Sequence, residues 1–307
     1  MIRRTLAAPP ALSAATLSGS VAAVSLLLVF GGGCAKQVGT YEVAAATATA
    51  PDQKATLKAD AEALWAQRND PEKLKASLAR YEQLYPMDPT DRDVAMHLVR
   101  GWYFLGDGHL TEKDAKLDAW YKAIDWGKKC LAINQDFTAL LAKGDEDEAS
   151  AARAFTTADV PCIYWTSTAL GKWAKASGLT VTLKYLPTVK AYMTRVGELE
   201  PAFYYQGPDR YWGAYYAAIP SFAGQDLNKS KEYFDKAIAA YPTFLGTHVL
   251  LAAEWAVKKQ DKATFEKELN WVLQADATAI PEVQPEAEAE KRKAQALLAQ
   301  QGDLFAN

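Results

Sequence analysis

The residue types that most often carry out catalysis are scarce in this chain and poorly spaced for it. The 307 residues include three histidines. His97 and His248 lie in apolar helical segments, His109 lies in a glycine-containing loop, and no pair has the spacing of metal ligands. The chain also lacks a phosphate-binding glycine loop, a nucleophile elbow and a dithiol motif. The sequence therefore predicts a protein that is not an enzyme and that has no metal site and no cofactor.

Binding chemistry is better represented, because aromatic side chains are concentrated in two segments. Between Phe203 and Tyr216, seven of fourteen residues are aromatic, and a second cluster contains Tyr164, Trp165 and Trp173. Tyrosine and tryptophan offer apolar area with one polar group, which suits ligand pockets and protein interfaces. The alternative is that these rings fill a helical core.

Arg210 lies within the first aromatic segment and is the candidate contact for a ligand anion, since a guanidinium can bind a carboxylate through two hydrogen bonds. The alternative is a structural ion pair with Asp209 or Glu232. The candidate ligand-binding residues are this arginine and the surrounding rings: Trp165, Trp173, Tyr204, Tyr205, Arg210, Tyr211, Trp212, Tyr215 and Tyr216.

Cys34 ends a segment with the features of a secretory signal. Two arginines near the N-terminus precede the apolar run Val21–Phe30 and three glycines. The run is too short to span a bilayer, which takes about 20 residues. The pattern predicts a lipoprotein signal peptide over residues 1–33 and lipidation of Cys34. Gly31 stands where a branched apolar residue is usual, so an ordinary cleaved signal and an uncleaved anchor stay open as alternatives.

The residues after Cys34 predict where the anchored chain is sorted. Ala35 and Lys36 follow it, and neither is the aspartate associated with retention in the inner membrane. The periplasmic face of the outer membrane is therefore favoured over that of the inner membrane. The formal net charge of −3 argues against nucleic acid as a partner, because phosphate binding needs clustered basic residues. It also argues against a polybasic membrane contact, which leaves the lipid as the predicted membrane anchor.

Two further cysteines, Cys130 and Cys162, lie in apolar helical patterns. Buried free thiols are the favoured interpretation for such positions. A disulfide is the alternative in an oxidising compartment, but the sequence does not place the two Cα atoms within bridging distance.

The elements that would position all these residues are helical. Residues 34–56 are poor in large apolar side chains and predict a flexible tether. From Leu57 onward the apolar residues follow a helical period, and no strand pattern is convincing. We therefore predict one all-α domain over residues 57–307. The helices expected in its C-terminal half run over about Pro201–Ile219, 224–242, Thr243–Lys258, Asp261–Gln274 and Pro285–Gln300.

A faint internal repeat indicates how the helices are arranged. The segment Ser230–Pro242 places a small residue, two core positions and a helix-ending proline at offsets of four, three and five residues. The same offsets recur from Ser77, Ala123 and Val189. The intervals are 46, 66 and 41 residues, whereas regular tetratricopeptide (TPR) repeats recur every ~34 residues. We therefore predict degenerate TPR-like helical hairpins, stacked in a right-handed solenoid-like bundle around a cavity or pore.

Several sequence blocks occur in an order typical of one family: Val160–Trp165 with Leu170–Trp173, Gly207–Gly213 leading to Ile219 and Pro220, the repeat Ser230–Pro242, and Asp261–Phe265 with a C-terminal Leu304 and Phe305. They resemble the T component associated with TRAP transporters, often called TatT. The resemblance covers most of the chain after the signal.

This resemblance implies a periplasmic lipoprotein of TPR-like hairpins that forms a homotrimeric scaffold with a pore-like hydrophobic cavity. It also implies association with a periplasmic TRAP substrate-binding protein, the P component. The aromatic segments suggest that the scaffold handles a small hydrophobic or carboxylate ligand. The residues leave a second function open, a general envelope assembly scaffold that binds peptides or outer-membrane machinery in an exposed groove.

Overall fold

Helices make up all the regular structure in the computed structural model, which describes residues 40–48, 51–144 and 146–305. No strand occurs among these residues, which confirms the predicted all-α class. Two π-helical stretches, Leu105–His109 and Leu251–Ala256, extend α3 and join α11 to α12. The α-helices are α1 Pro51–Trp65, α2 Pro71–Leu84, α3 Arg92–Phe104, α4 Lys113–Ala132, α5 Gln135–Ala142, α6 Glu148–Ala151, α7 Val160–Ser177, α8 Leu179–Leu199, α9 Phe203–Ala218, α10 Leu227–Ala240, α11 Leu245–Leu250, α12 Val257–Lys259, α13 Lys262–Gln274, α14 Gln284–Ala299 and α15 Gln301–Leu304.

Local chemistry sets the limits of these helices. Asp226 caps α10 by accepting hydrogen bonds from the backbone N–H groups of Asn228 and Lys229, both at 3.0 Å. Such caps satisfy donors that have no partner within the helix. Pro220 follows α9 and Pro242 follows α10. Proline has no backbone N–H to donate, so neither residue can continue the hydrogen bonding of its helix. The C-terminal helices consequently begin and end close to their predicted limits.

The first helix begins at Pro51, whereas the sequence pattern places the start of the helical domain at Leu57. Proline and the following Asp52 suit the first turn of a helix, where the missing N–H has no cost. These early turns are mostly exposed, so they carry no apolar period. Part of the expected tether is also held by the body, since the Tyr41 hydroxyl lies 3.0 Å from that of Tyr192. Cys34 and the signal segment lie outside the described residues.

Two helical hairpins share the contact that the repeat predicts. In the α1–α2 pair, the Ser77 hydroxyl donates to the Ala61 carbonyl at 2.9 Å. In the α9–α10 pair, the Ser230 hydroxyl donates to the Gly213 carbonyl at 2.6 Å. Both serines are fully buried, and each lets its helix approach the preceding one closely. The right-handed solenoid-like stacking of the hairpins stays a prediction.

The substitution Gly213→Ala is expected to destabilise the protein. A Cβ atom at this position would lie 2.8 Å from the ring of the fully buried Phe234. Overpacking of this kind costs about 1–3 kcal/mol, and the better helix propensity of alanine recovers up to about 1 kcal/mol. We expect a net loss of about 1–2 kcal/mol in urea unfolding. Gly302→Ala is the control, because its added Cβ meets no atom within 4 Å, and an equal loss there would contradict the packing explanation.

Two large hydrophobic cores and a smaller cluster from α4, α7 and α8 hold the described helices together. The larger core comes mainly from α2, α3, α4, α7 and α8. The second core comes mainly from α10 to α14 and the C-terminal end of α9. All described residues belong to one compact unit with these cores inside it. This part of the chain therefore has what a domain needs to fold without the N-terminal segment.

Cys130 of α4 and Cys162 of α7 form a disulfide, with their Cα atoms 5.8 Å apart. The prediction of two buried free thiols is therefore wrong, although both residues are buried. The pairing follows from the close packing of α4 against α7, where Gly127 leaves room for Thr166. The cysteines are 32 residues apart in the chain, and that separation carries no information on the distance between two helices.

Candidate ligand cavity

A cavity of about 670 Å³ lies among α3, α7, α8, α9, α11 and α14. Its lining includes the apolar side chains Leu186, Val189, Val249, Leu250 and Leu297. The lining also contains aromatic rings and charged side chains. A volume of several hundred Å³ is typical of pockets that bind small molecules. The cavity is therefore the candidate functional site.

Five of the nine predicted ligand-binding residues line the cavity: Trp165, Tyr204, Arg210, Tyr211 and Tyr215. They come from α7 and α9. Their binding role stays a prediction.

The other four predicted residues lie outside the lining. The Trp173 ring packs between those of Tyr121 and Tyr185. The Tyr205 ring stacks on Phe244 with centroids 5.1 Å apart. Trp212 packs against neighbouring rings of its own helix, and Tyr216 stacks on Tyr233. These four half-buried rings pack against neighbouring rings, and the binding role predicted for them stays a prediction.

Arg210 is buried, yet it has no carboxylate partner in the described part of the chain. Its guanidinium donates to the carbonyls of Tyr205 and Tyr204 at 2.9 and 3.0 Å and to the Tyr164 hydroxyl at 2.9 Å. The ion pair with Asp209 or Glu232, offered as an alternative, does not form. Asp209 instead pairs with Lys236 at 3.0 Å. Arg210 therefore brings an uncompensated positive charge to the wall.

The residues that Arg210 holds have an unusual backbone. Tyr204, Tyr205 and Gln206 have φ angles of 47°, 56° and 59°, so the chain enters α9 through a left-handed turn. Each non-glycine residue in this region costs of the order of 1–3 kcal/mol, and such conformations persist where the surroundings impose them. The hydrogen bonds that Arg210 donates to the Tyr204 and Tyr205 carbonyls supply part of that constraint. Gly207 supplies room, because a Cβ there would lie 2.6 Å from the Tyr164 ring.

A second charged group on the wall was not predicted from the sequence. Glu286 of α14 accepts from Arg100 of α3 at 2.6 Å and from Arg68 at 2.7 Å. Burial would raise the pKa of the Glu286 carboxyl, but the two guanidiniums outweigh it and hold the pKa below its ordinary value. Residues so distant in sequence give no local pattern, so this group could be found only in three dimensions.

Glu286 is expected to make stability depend on pH in the acid range. Its pKa is lower in the folded state, so its contribution is present above the unfolded value of about 4.3. That contribution is lost as the pH falls through the lower, folded-state value. We expect the stability difference between the wild type and Glu286→Gln to shrink between pH 7 and pH 3. Urea unfolding at several pH values measures it, and a difference that stays constant would contradict this origin.

A third charged group is centred on the π-helical stretch after α3. The Asp107 carboxylate contacts Lys172 of α7 at 2.8 Å and Lys293 of α14 at 2.5 Å. Burial would raise the pKa of Asp107, but the two ammonium groups hold it well below its usual range. Lys293 also contacts Glu290 at 2.8 Å. Lys172 stands inside the block Leu170–Trp173, and a lysine among apolar residues was the one available signal for this group.

The described residues contain no cluster of three or more His, Cys, Asp or Glu side chains able to hold a metal ion. Within the same ranges, no helix combines the length and apolar character required to cross a bilayer. Both ring nitrogens of His248 have hydrogen-bond partners. Nδ1 lies 2.6 Å from the Glu268 carboxylate, and Nε2 lies 3.0 Å from the Pro242 carbonyl.

Comparison with known proteins agrees with the order of the sequence blocks. The model of the family described as TRAP transporter T-component matches residues 67–305. The chain belongs to this family. The match includes every residue that lines the cavity of this T-component. Membership identifies it as a transport component of the TRAP type and associates it with the bacterial envelope. A search of curated proteins returned no match.

Proposed function

We propose that this T-component is a non-enzymatic periplasmic lipoprotein that holds a small ligand for a TRAP transport system. The observation that carries the proposal is the cavity, because its lining combines apolar side chains with Arg210, which has no ion-pair partner among the described residues. Such a lining suits a hydrophobic ligand with a carboxylate. The ligand is exchanged with a periplasmic TRAP substrate-binding protein that docks on the helical body. The protein acts as a homotrimer.

The membrane anchor in this proposal is lipid on Cys34, at the periplasmic face of the outer membrane. Tethering raises the effective concentration of the helical body near membrane-bound partners. The Cys130–Cys162 disulfide supports this location, since such bonds persist in oxidising compartments.

Docking is tested by affinity capture. A tagged chain without its first 34 residues is incubated with periplasmic extract of the source bacterium, with and without a lysine-reactive cross-linker. We expect mass spectrometry to identify a TRAP substrate-binding protein, enriched over an unrelated periplasmic helical protein as bait. Recovery of none under either condition would contradict docking. Light scattering of the same protein tests the trimer.

The substitution Cys34→Ser tests the anchor in cells. Because serine has no thiol to acylate, we expect the chain to leave the membrane fraction or to accumulate unprocessed. Fractionation followed by immunoblotting measures both outcomes, and Thr40→Ser, a conservative change at an exposed residue that retains Cys34 and the disulfide, is the control. Normal processing with unchanged membrane retention would show that the thiol is not the anchor.

A further inference from the structure

Two guanidinium groups lie close to a single ring on the cavity wall. The Cζ atom of Arg100 lies 5.1 Å from the Tyr204 ring centroid, and that of Arg210 lies 5.7 Å from it. The Trp165 ring lies next to Tyr204, with centroids 4.7 Å apart, and also contacts Arg100. Arg100 comes from α3 and Arg210 from α9, so packing of the two helices against α7 brings these charges together.

The charges around Tyr204 do not balance. Arg100 shares the Glu286 carboxylate with Arg68, which leaves two cations for one anion. Arg210 makes no ion pair within the described residues, so the buried side chains of this corner carry more positive than negative charge. The neighbouring cluster is different, because Lys172 and Lys293 face Asp107 and Glu290. Positive charge in a partly desolvated site is costly unless an anion is present.

Both arginines also have donors to spare. The Nε atom of Arg100 is buried and makes no hydrogen bond to the protein. Arg210 uses three N–H groups on Tyr164, Tyr204 and Tyr205, and a guanidinium has five. A buried charged donor without a partner is unfavourable. A carboxylate beside Tyr204 would accept these donors and neutralise the charge.

We propose that Arg100 and Arg210 form a clamp for the carboxylate of an organic anion, whose apolar body lies in the cavity against Val189, Val249 and Leu297. This inference rests on the proposed ligand-binding function. It adds the orientation of the ligand, whose anionic group is held beside Tyr204. The left-handed turn at Tyr204 places this ring close to both arginines. Arg100 is the part of the clamp that sequence patterns did not indicate.

The test uses two probes of the same shape, 2-naphthoate and its neutral amide, 2-naphthamide. Each is titrated by calorimetry into the chain without its first 34 residues, which keeps the compact unit intact. We expect naphthoate to bind at least about tenfold more tightly, because charge-assisted hydrogen bonds are the stronger class. In Arg100→Gln, we expect the affinity for naphthoate to fall about 10- to 100-fold and the affinity for naphthamide to change little.

Two further variants keep the test decisive. Arg210→Lys retains the charge but loses the planar guanidinium that holds the Tyr204 turn. We expect this substitution to lower the affinity for naphthoate about tenfold. Arg80→Gln removes a half-buried arginine of α2 that does not line the cavity, and both affinities should stay unchanged. Circular dichroism and thermal unfolding verify that each variant is folded.

The outcomes separate the clamp from the proposed function. Equal affinity for the two probes, or naphthoate binding that Arg100→Gln leaves intact, would overturn the clamp while the cavity keeps its ligand role. Binding of neither probe would contradict the small-ligand function and the clamp together. A naphthoate preference that falls in both arginine variants supports the clamp.

Discussion

Loss of the Cys130–Cys162 disulfide is expected to lower the free energy of unfolding by about 3–4 kcal/mol. The bond joins residues 32 apart, and closing a loop of that length removes conformational freedom mainly from the unfolded chain. It also ties α4 to α7 within the larger core. Urea unfolding of the chain without its first 34 residues, with and without a thiol reductant, measures the effect.

The double variant Cys130→Ala with Cys162→Ala is the control for this experiment. Alanine avoids placing hydroxyl groups at two buried positions, where they would need new partners. We expect the variant to resemble the reduced wild type and to be insensitive to reductant. Unchanged stability of a wild-type sample whose thiols are demonstrably reduced would contradict a stabilising role for the bond.

The fold was predictable where local signals act alone. Prolines 220 and 242 and the Asp226 cap limit the α9–α10 hairpin in sequence and in structure. The buried serines of the repeat predict close contacts between paired helices, which Ser77 and Ser230 make. Pro51–Thr56 is helical without a buried face, so the apolar period could not indicate it. The disulfide depends on the packing of two helices that no local pattern describes.

The cavity was predictable only in part. Aromatic density indicated α7 and α9, but it did not distinguish Tyr204 and Trp165, which line the cavity, from Trp173, which packs among other rings. Tyr204 is presented by a left-handed turn, and tyrosine has no preference for that conformation. Arg100 was missed because its partner Glu286 follows 186 residues later. Charge pairing between helices is a property of the packed protein.

The substitution Asp107→Ala is the second change for which we expect a large effect, a loss of about 3 kcal/mol. Removing one partner of a buried ion pair costs about 3–5 kcal/mol, because the remaining charge is left without compensation. Lys293 keeps Glu290 as a partner, whereas Lys172 keeps no acid within ion-pair distance in the described structure. The lysines are 34% and 27% exposed, so water in the cavity moderates the cost. Chemical unfolding measures it.

Two controls distinguish the lost charge from the lost side chain. Asp235→Ala removes an exposed partner of Lys231 and should cost less than about 1 kcal/mol. Adding Lys172→Met to Asp107→Ala removes the uncompensated cation, so the double variant should be more stable than Asp107→Ala alone. If the double variant were instead less stable, the Asp107 effect would come from packing of the π-helical stretch. In that case, the stability of the fold would not depend on the pairing of Asp107 with Lys172.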